Sequence, residues 1–306
     1  MKFKSTFTAP LLITAVLLLL AASRFLDLSM LAYHENICLA VIVLQLMILA
    51  VPSILYAKLK GESFIKRLRL RLFGLDKLLV ILLASLALLV GDVLLKLILY
   101  NLGLVNGNYS VYDYYLAGEE TNIIYAMLTF CLIPAICEEL LFRGLLCAEF
   151  EQNGVMTAVI ASSALYAMFG LSFGYFPIYF YCGLIFALVM YLTRSLFAAI
   201  ICHFIYNSAT IVLSDTVWNI ISKPQSTVFL VFALTTLLLL ALASLFGECE
   251  RIYYGYSLRG IDSDYAAKCP KFKLSLFIEA LLAPPFLCAA LVFVGASIQV
   301  IGPQPE

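Results

Sequence analysis

Along this chain the polar positions gather in short clusters, and between them run apolar stretches long enough to cross a bilayer. A hydrocarbon core about 30 Å thick needs about 20 apolar residues as helix. On that scale the sequence predicts nine spans, near 9–32, 37–57, 78–100, 123–148, 154–171, 177–193, 196–214, 225–246 and 275–301. Backbone polar groups in lipid must be satisfied internally, so such spans are helices. The expected fold class is therefore all-α, a polytopic transmembrane helical bundle of about eight or nine spans, with 1–306 as one transmembrane domain.

Composition agrees. At 64% hydrophobic and 12% charged residues the chain has too little polar surface to coat a soluble globule of 306 residues. Formal net charge is zero, which predicts no nucleic-acid partner, and the apolar composition makes membrane lipid the expected surroundings. The distribution of charge is more informative than its sum. Segment 58–77 carries Lys58, Lys60, Lys66, Arg67, Arg69, Arg71 and Lys77, and segment 247–274 carries Arg251, Arg259, Lys268, Lys271 and Lys273. Segments 101–122 and 172–176 have no Lys or Arg, and 215–224 has only Lys223. The positive-inside rule then makes 58–77 and 247–274 basic cytoplasmic segments of a cell-membrane protein whose N-terminus is cytoplasmic and whose C-terminus faces outward.

Two stretches allow two readings. Lys2, Lys4, the apolar run from Pro10 to Leu20 and then Ala21-Ala22-Ser23 resemble a cleavable signal peptide. A retained span is favoured, because apolar residues resume after Arg24 and Asp27, which are spaced to pair. In 64–73 the apolar positions fit a helix (65, 68, 72, 75) and also strict alternation (68, 70, 72). Beside a bilayer this reads as an interfacial amphipathic helix on anionic lipid; a loop that only fixes topology fits the same pattern. Nine cysteines form no C-x-x-C pair and lie mostly in apolar runs, so packing is their expected role.

Candidate chemistry sits where apolar sequence is interrupted. Cys137-Glu138-Glu139-Leu140-Leu141-Phe142-Arg143 lies inside a predicted span. Each ionisable side chain near a helix centre costs about 2.5–3.5 kcal/mol on insertion scales, so three together form a functional-site hypothesis. On a helix Glu139 and Arg143 share a face, while Glu138 is turned about 100° away. Arg143 can therefore neutralise and orient Glu139, leaving Glu138 to face a water or a metal. A carboxylate in an apolar site is a stronger base than one in water, which suits a general base near neutral pH. His203 and Asn207 are likewise four apart and suit a transition-state stabiliser or metal-ligand pair; a packing hydrogen bond between helices explains them equally. Asn153-Gly154 is a turn signal, so position 138 is level with Gly170 on the next helix, with Tyr166 one turn away.

Glu-Glu-x-x-x-Arg in a span, followed by His-x-x-x-Asn, resembles the CAAX-processing and bacteriocin-self-immunity family of intramembrane proteases over a core of about 120–215. The resemblance implies a helical bundle around a water-filled cavity open to the cytoplasmic side or laterally to lipid. It implies a protease that hydrolyses a peptide bond in a membrane-associated or lipidated peptide, with Glu138 activating water. Glu139 and Arg143 match the supporting positions, and His203 and Asn207 the last motif. Between these motifs the family carries Phe-x-x-x-His, and here Tyr166 and Gly170 stand at those places and are expected to line the substrate cavity. The other histidine, His34, lies near the outer end of the first hairpin and does not fit the motif. With one imidazole available, zinc is poorly matched, and no metal or other cofactor is expected.

Two rival functions remain open on the sequence. A catalytically inactive relative would use the same cavity as a membrane scaffold or bacteriocin-immunity factor, its charges kept as a buried polar network. A transporter would use them as an ion path, but the sequence shows no duplicated halves with matching broken segments. Pro284-Pro285, near Glu279, reads as a kink in the last span.

Overall fold

The computed structural model describes residues 5–23, 37–105, 123–221, 227–260 and 272–301. The longer helices are α1 (Ser5–Ser23), α2 (Cys38–Lys60), α3 (Leu75–Asn101), α4 (Ile123–Asn153), α5 (Val155–Phe169), α6 (Phe176–Thr193), α7 (Leu196–Ile221), α8 (Thr227–Leu258), α9 (Leu274–Leu281) and α10 (Pro284–Ile301). Six of them (α2, α3, α4, α6, α7 and α8) are long and apolar enough to cross a membrane. The pair α9 and α10, bent by 54°, passes the same test together, and α1 and α5 are shorter apolar helices. Every one of the nine stretches read from hydropathy thus has a helix at its place, and the fold is an all-α multi-pass bundle. The bend between α9 and α10 falls at Pro284-Pro285, where two backbone donors are missing. Arg24, Asp27, His34, Cys269, Lys268 and Lys271 lie outside the described residues.

Small residues let the central helices approach. A Cβ on Gly183 of α6 would lie 2.9 Å from the Ser163 backbone of α5, so this crossing requires glycine. Gly91 of α3 accepts the Tyr181 ring of α6 in the same way, and the Tyr181 hydroxyl then donates to the Ala87 carbonyl at 2.6 Å. Gly154 turns the chain between α4 and α5 with φ of +104°, a conformation open to glycine and costly for other residues. Within α4 the turns Leu128–Leu132 and Leu140–Leu146 are π-helical, a distortion often found where a helix carries chemistry. The buried cysteines Cys137, Cys147, Cys182 and Cys202 are free and packed in the core.

The basic segment departs from the interfacial-helix reading. It begins as one helical turn, Glu62–Ile65, continues as a tighter turn, Lys66–Leu68, and then breaks at Arg69, whose φ is +56°. The reason lies in its partners. Arg67 donates to the Ala148 carbonyl and Arg69 pairs with Glu151, both at the C-terminal end of α4. Arg71 Nε donates to the Arg194 carbonyl at 2.6 Å and Lys77 Nζ to the Thr193 carbonyl at 3.4 Å, at the end of α6. Lys60 meets Glu149 at 2.7 Å. Arg67, Arg71 and Lys77 therefore donate to backbone carbonyls near helix ends, Arg69 and Lys60 pair with carboxylates of α4, and all of them oppose the negative end of the helix dipoles. A continuous helix would present them on too few faces to reach both ends. The far end of the bundle is marked by Tyr100 against Trp218, ring centroids 6.0 Å apart, and by Gly174 against the Leu104 carbonyl.

Candidate functional site

Glu139 and Arg143 project from adjacent turns of α4 into a region from which solvent is fully excluded, and Arg143 Nη1 donates to Glu139 Oε1 at 3.0 Å. The guanidinium is fixed on three sides. Its Nη2 donates to the Gly183 carbonyl at 3.1 Å, and its carbon lies 4.4 Å from the Tyr166 ring centroid and 5.2 Å from that of Phe186. A cation between aromatic faces in a dry site gains more than one in water. Gly183 thus has two uses: it lets α5 and α6 touch, and its carbonyl receives the arginine.

His203 comes from α7 and closes the set. Its Nδ1 lies 2.9 Å from Glu139 Oε1, and its ring stacks on Phe186 with centroids 4.4 Å apart and an interplanar angle of 21°. An ionised Glu139, held by Arg143, can only accept, so Nδ1 carries the proton and Nε2 offers a lone pair. Nε2 points toward Glu138, whose Oε2 is 3.8 Å away. That gap is too long for a direct hydrogen bond. Glu138 itself keeps 14% of its side-chain surface exposed, and the Tyr166 hydroxyl lies near it.

Glu138, Tyr166, His203 and Asn207 line one cavity of about 310 Å³. Of the residues singled out in the sequence, Glu139 and Arg143 lie behind its wall, and the remaining partner position, Gly170, lies under Tyr179 of α6. A Cβ at 170 would fall 2.5 Å from that ring. Tyr179 lines the cavity and stands edge-on to Tyr166 with centroids 6.1 Å apart. The space beside Glu138 that a longer side chain at 170 would fill is taken by a phenol from the next helix.

This donor set fits a metal poorly. Glu139 Oε1 and His203 Nδ1 are already joined to each other, and Arg143 occupies the same carboxylate oxygen. What is left facing the cavity is one imidazole nitrogen, the Glu138 carboxylate and an Asp92 carboxylate already paired with Lys96, and no group of three His, Cys, Asp or Glu among the described residues is arranged to hold an ion.

Among the cavity residues that escaped the sequence reading, three stand out. Asp92 and Lys96 of α3 line it, paired at 2.8 Å, and so does Gln45 of α2. Asp92 and Lys96 are spaced as Glu139 and Arg143 are, inside an apolar span, so the rule that found one pair applies equally to the other. From Glu138 and His203 the lining runs through Asp92 and Lys96 to Trp218, away from the basic end of the bundle. Toward the basic end the site is sealed by Phe142, Leu145 and Leu146, none of which is exposed.

Residues 120–209 match the family model described as type II CAAX prenyl endopeptidase Rce1-like. The match covers α4, α5, α6 and the first half of α7, the helices that carry Glu138, Glu139, Arg143, Tyr166, Gly170, His203 and Asn207. No curated protein and no solved structure matches the chain.

Proposed function

We propose that this chain, whose core matches the CAAX prenyl endopeptidase family over residues 120–209, is a glutamate-dependent intramembrane endopeptidase acting on a membrane-associated or lipidated peptide. The observation that carries the reading is His203 standing between two glutamates, 2.9 Å from Glu139 and 3.8 Å from Glu138, at the wall of a cavity. A water in the wider gap donates one hydrogen to His203 Nε2 and the other to Glu138. Glu138 takes the proton as the water oxygen attacks the scissile carbonyl. The oxyanion is met by donors on the same wall, the Asn207 amide and the Tyr166 hydroxyl. Glu138 then returns the proton to the leaving amine, so one carboxylate serves as base and acid and a second imidazole at 170 is not required. Arg143 and Glu139 act through His203, fixing its tautomer and ring plane.

A second reading, an inactive relative that binds peptide without cutting it, draws on Tyr179 filling the space at Gly170. Reconstitution in liposomes with a library of S-prenylated and unmodified peptides, followed by mass spectrometry, separates the two. Cleavage that Glu138→Gln abolishes and a chelator leaves intact supports the protease; capture of a peptide that stays whole supports the binder; loss of cleavage with chelator, restored by a divalent ion, overturns the metal-free chemistry.

In the same proposal the basic end is cytoplasmic and the cavity faces the opposite side or the lipid. A cysteine at Val217, on the lining near the far end, is expected to react with an impermeant maleimide from the non-cytoplasmic side, measured against the parent protein. Labelling only from the cytoplasmic side would invert this topology.

A further inference from the structure

The same cavity holds polar atoms with no assigned use. Asp92 has almost no solvent exposure, and only one of its carboxylate oxygens is occupied: Oδ2 receives Lys96 Nζ at 2.8 Å, while Oδ1 accepts no hydrogen bond from the described residues. Gln45, on α2, is also on the lining, and its Oε1 is likewise buried and unpaired among the described residues. Leaving a buried acceptor unmade costs about 1–3 kcal/mol, more when it is charged. Two such acceptors, carried by two residues of one cavity lining, can be satisfied by a ligand that brings N–H groups. Lys96, partly exposed, keeps hydrogens beyond the one given to Asp92 and can meet a carbonyl. Glu138 and Asp92 outweigh Lys96 in charge on this lining, which opposes a further carboxylate and suits a neutral amide backbone.

We infer that Asp92, Lys96 and Gln45 form a peptide main-chain anchor: Asp92 Oδ1 and Gln45 Oε1 accept backbone N–H groups of a bound peptide and Lys96 donates to one of its carbonyls. The inference rests on the endopeptidase reading for its ligand class, an extended peptide that also reaches Glu138. An extended strand alternates donors and acceptors, so one residue offers both groups to the Asp92–Lys96 pair. These are substrate-positioning residues; none of them touches the water held by Glu138.

Trp218 is the single tryptophan of the chain and lines this cavity, so its fluorescence reports entry of a ligand. The test is a fluorescence titration in nanodiscs of the Glu138→Gln protein with a farnesyl-cysteine tetrapeptide ending in three apolar residues, with versions N-methylated at single amides, and with its C-terminal amide. At one amide, N-methylation is expected to weaken binding about 10- to 100-fold, the range of a hydrogen bond to a charged group. Adding Asp92→Asn should weaken the parent peptide to a similar extent and make methylated and parent peptides bind alike. Gln45→Leu, which leaves the ion pair intact, should cost about 2- to 10-fold and keeps the proposal testable if Asp92→Asn does not fold. Equal affinity in Glu138→Gln with and without Asp92→Asn or Gln45→Leu overturns the anchor while leaving the endopeptidase reading standing. A loss caused by C-terminal amidation and by Lys96→Met, with N-methylation neutral, overturns it in favour of a terminal-carboxylate site. No saturable signal with any peptide counts against both the anchor and the reading it rests on.

Discussion

Glu151 and Glu138 are carboxylates of the same helix, α4, and both are largely removed from solvent, yet they are used in opposite ways. Glu151, at the basic end, is saturated: Arg69 pairs with its Oε1, Arg67 stands 3.9 Å from Oε2, and the Tyr191 hydroxyl donates at 2.8 Å. Glu138 has no close ion pair: it stands 3.8 Å from one imidazole, lies near the Tyr166 hydroxyl and faces a cavity. A buried charge that is fully paired holds helices together, whereas one with unfilled capacity beside open space is available for chemistry. Burial alone does not separate the two cases; the count of partners does.

Substitution with glutamine should pull these roles apart. Glu138→Gln is expected to lower cleavage by about 10²- to 10⁴-fold or more, the usual worth of a general base, while thermal unfolding in detergent stays near the parent value. Glu139→Gln removes the counter-charge of a guanidinium with no solvent contact and frees the His203 tautomer. It should cost activity by about 10²-fold and stability as well, about 3–5 kcal/mol for breaking a buried pair. Glu151→Gln leaves Arg69 without its buried partner and should cost about 3–5 kcal/mol of stability, with turnover per folded molecule unchanged. If Glu151→Gln silences turnover and Glu138→Gln does not, the distinction drawn from partner counts is wrong.

The fold was legible in the sequence because lipid imposes one rule on every span, and the rule is read from length and hydropathy. The polar motifs on α4 and α7 were equally legible, since a charge in an apolar run stands out. What could not be read was which helices bring polar residues to the same cavity. Asp92 and Lys96 are as conspicuous in α3 as Glu139 and Arg143 are in α4, but only the packing of α3 against α6 and α7 shows that they share a cavity with Glu138. The shape of 64–77 was hidden for a different reason. Of its alternating arginines, Arg67 and Arg71 serve backbone carbonyls near the ends of α4 and α6 and Arg69 the Glu151 carboxylate, tertiary partners that periodicity cannot see.

Gly170 sharpens the comparison at the smallest scale. The glycine is not an empty place: Tyr179 lies over it, and any Cβ there meets the ring at 2.5 Å. Gly170→Ala should therefore cost about 1–3 kcal/mol by overpacking, relieved if the ring swings into the cavity, where its displacement would also slow peptide entry. Tyr179→Ala alone leaves a void beside Tyr166 and Glu138 and is expected to be destabilising too. The double variant Gly170→Ala with Tyr179→Ala should lose less than the two single losses added together, because each change makes room for the other. Thermal unfolding of the four proteins measures this. Additive losses would mean that residue 170 and Tyr179 do not compete for one space, and that the missing side chain at 170 is a vacancy in the site and not a place the protein has refilled from α6.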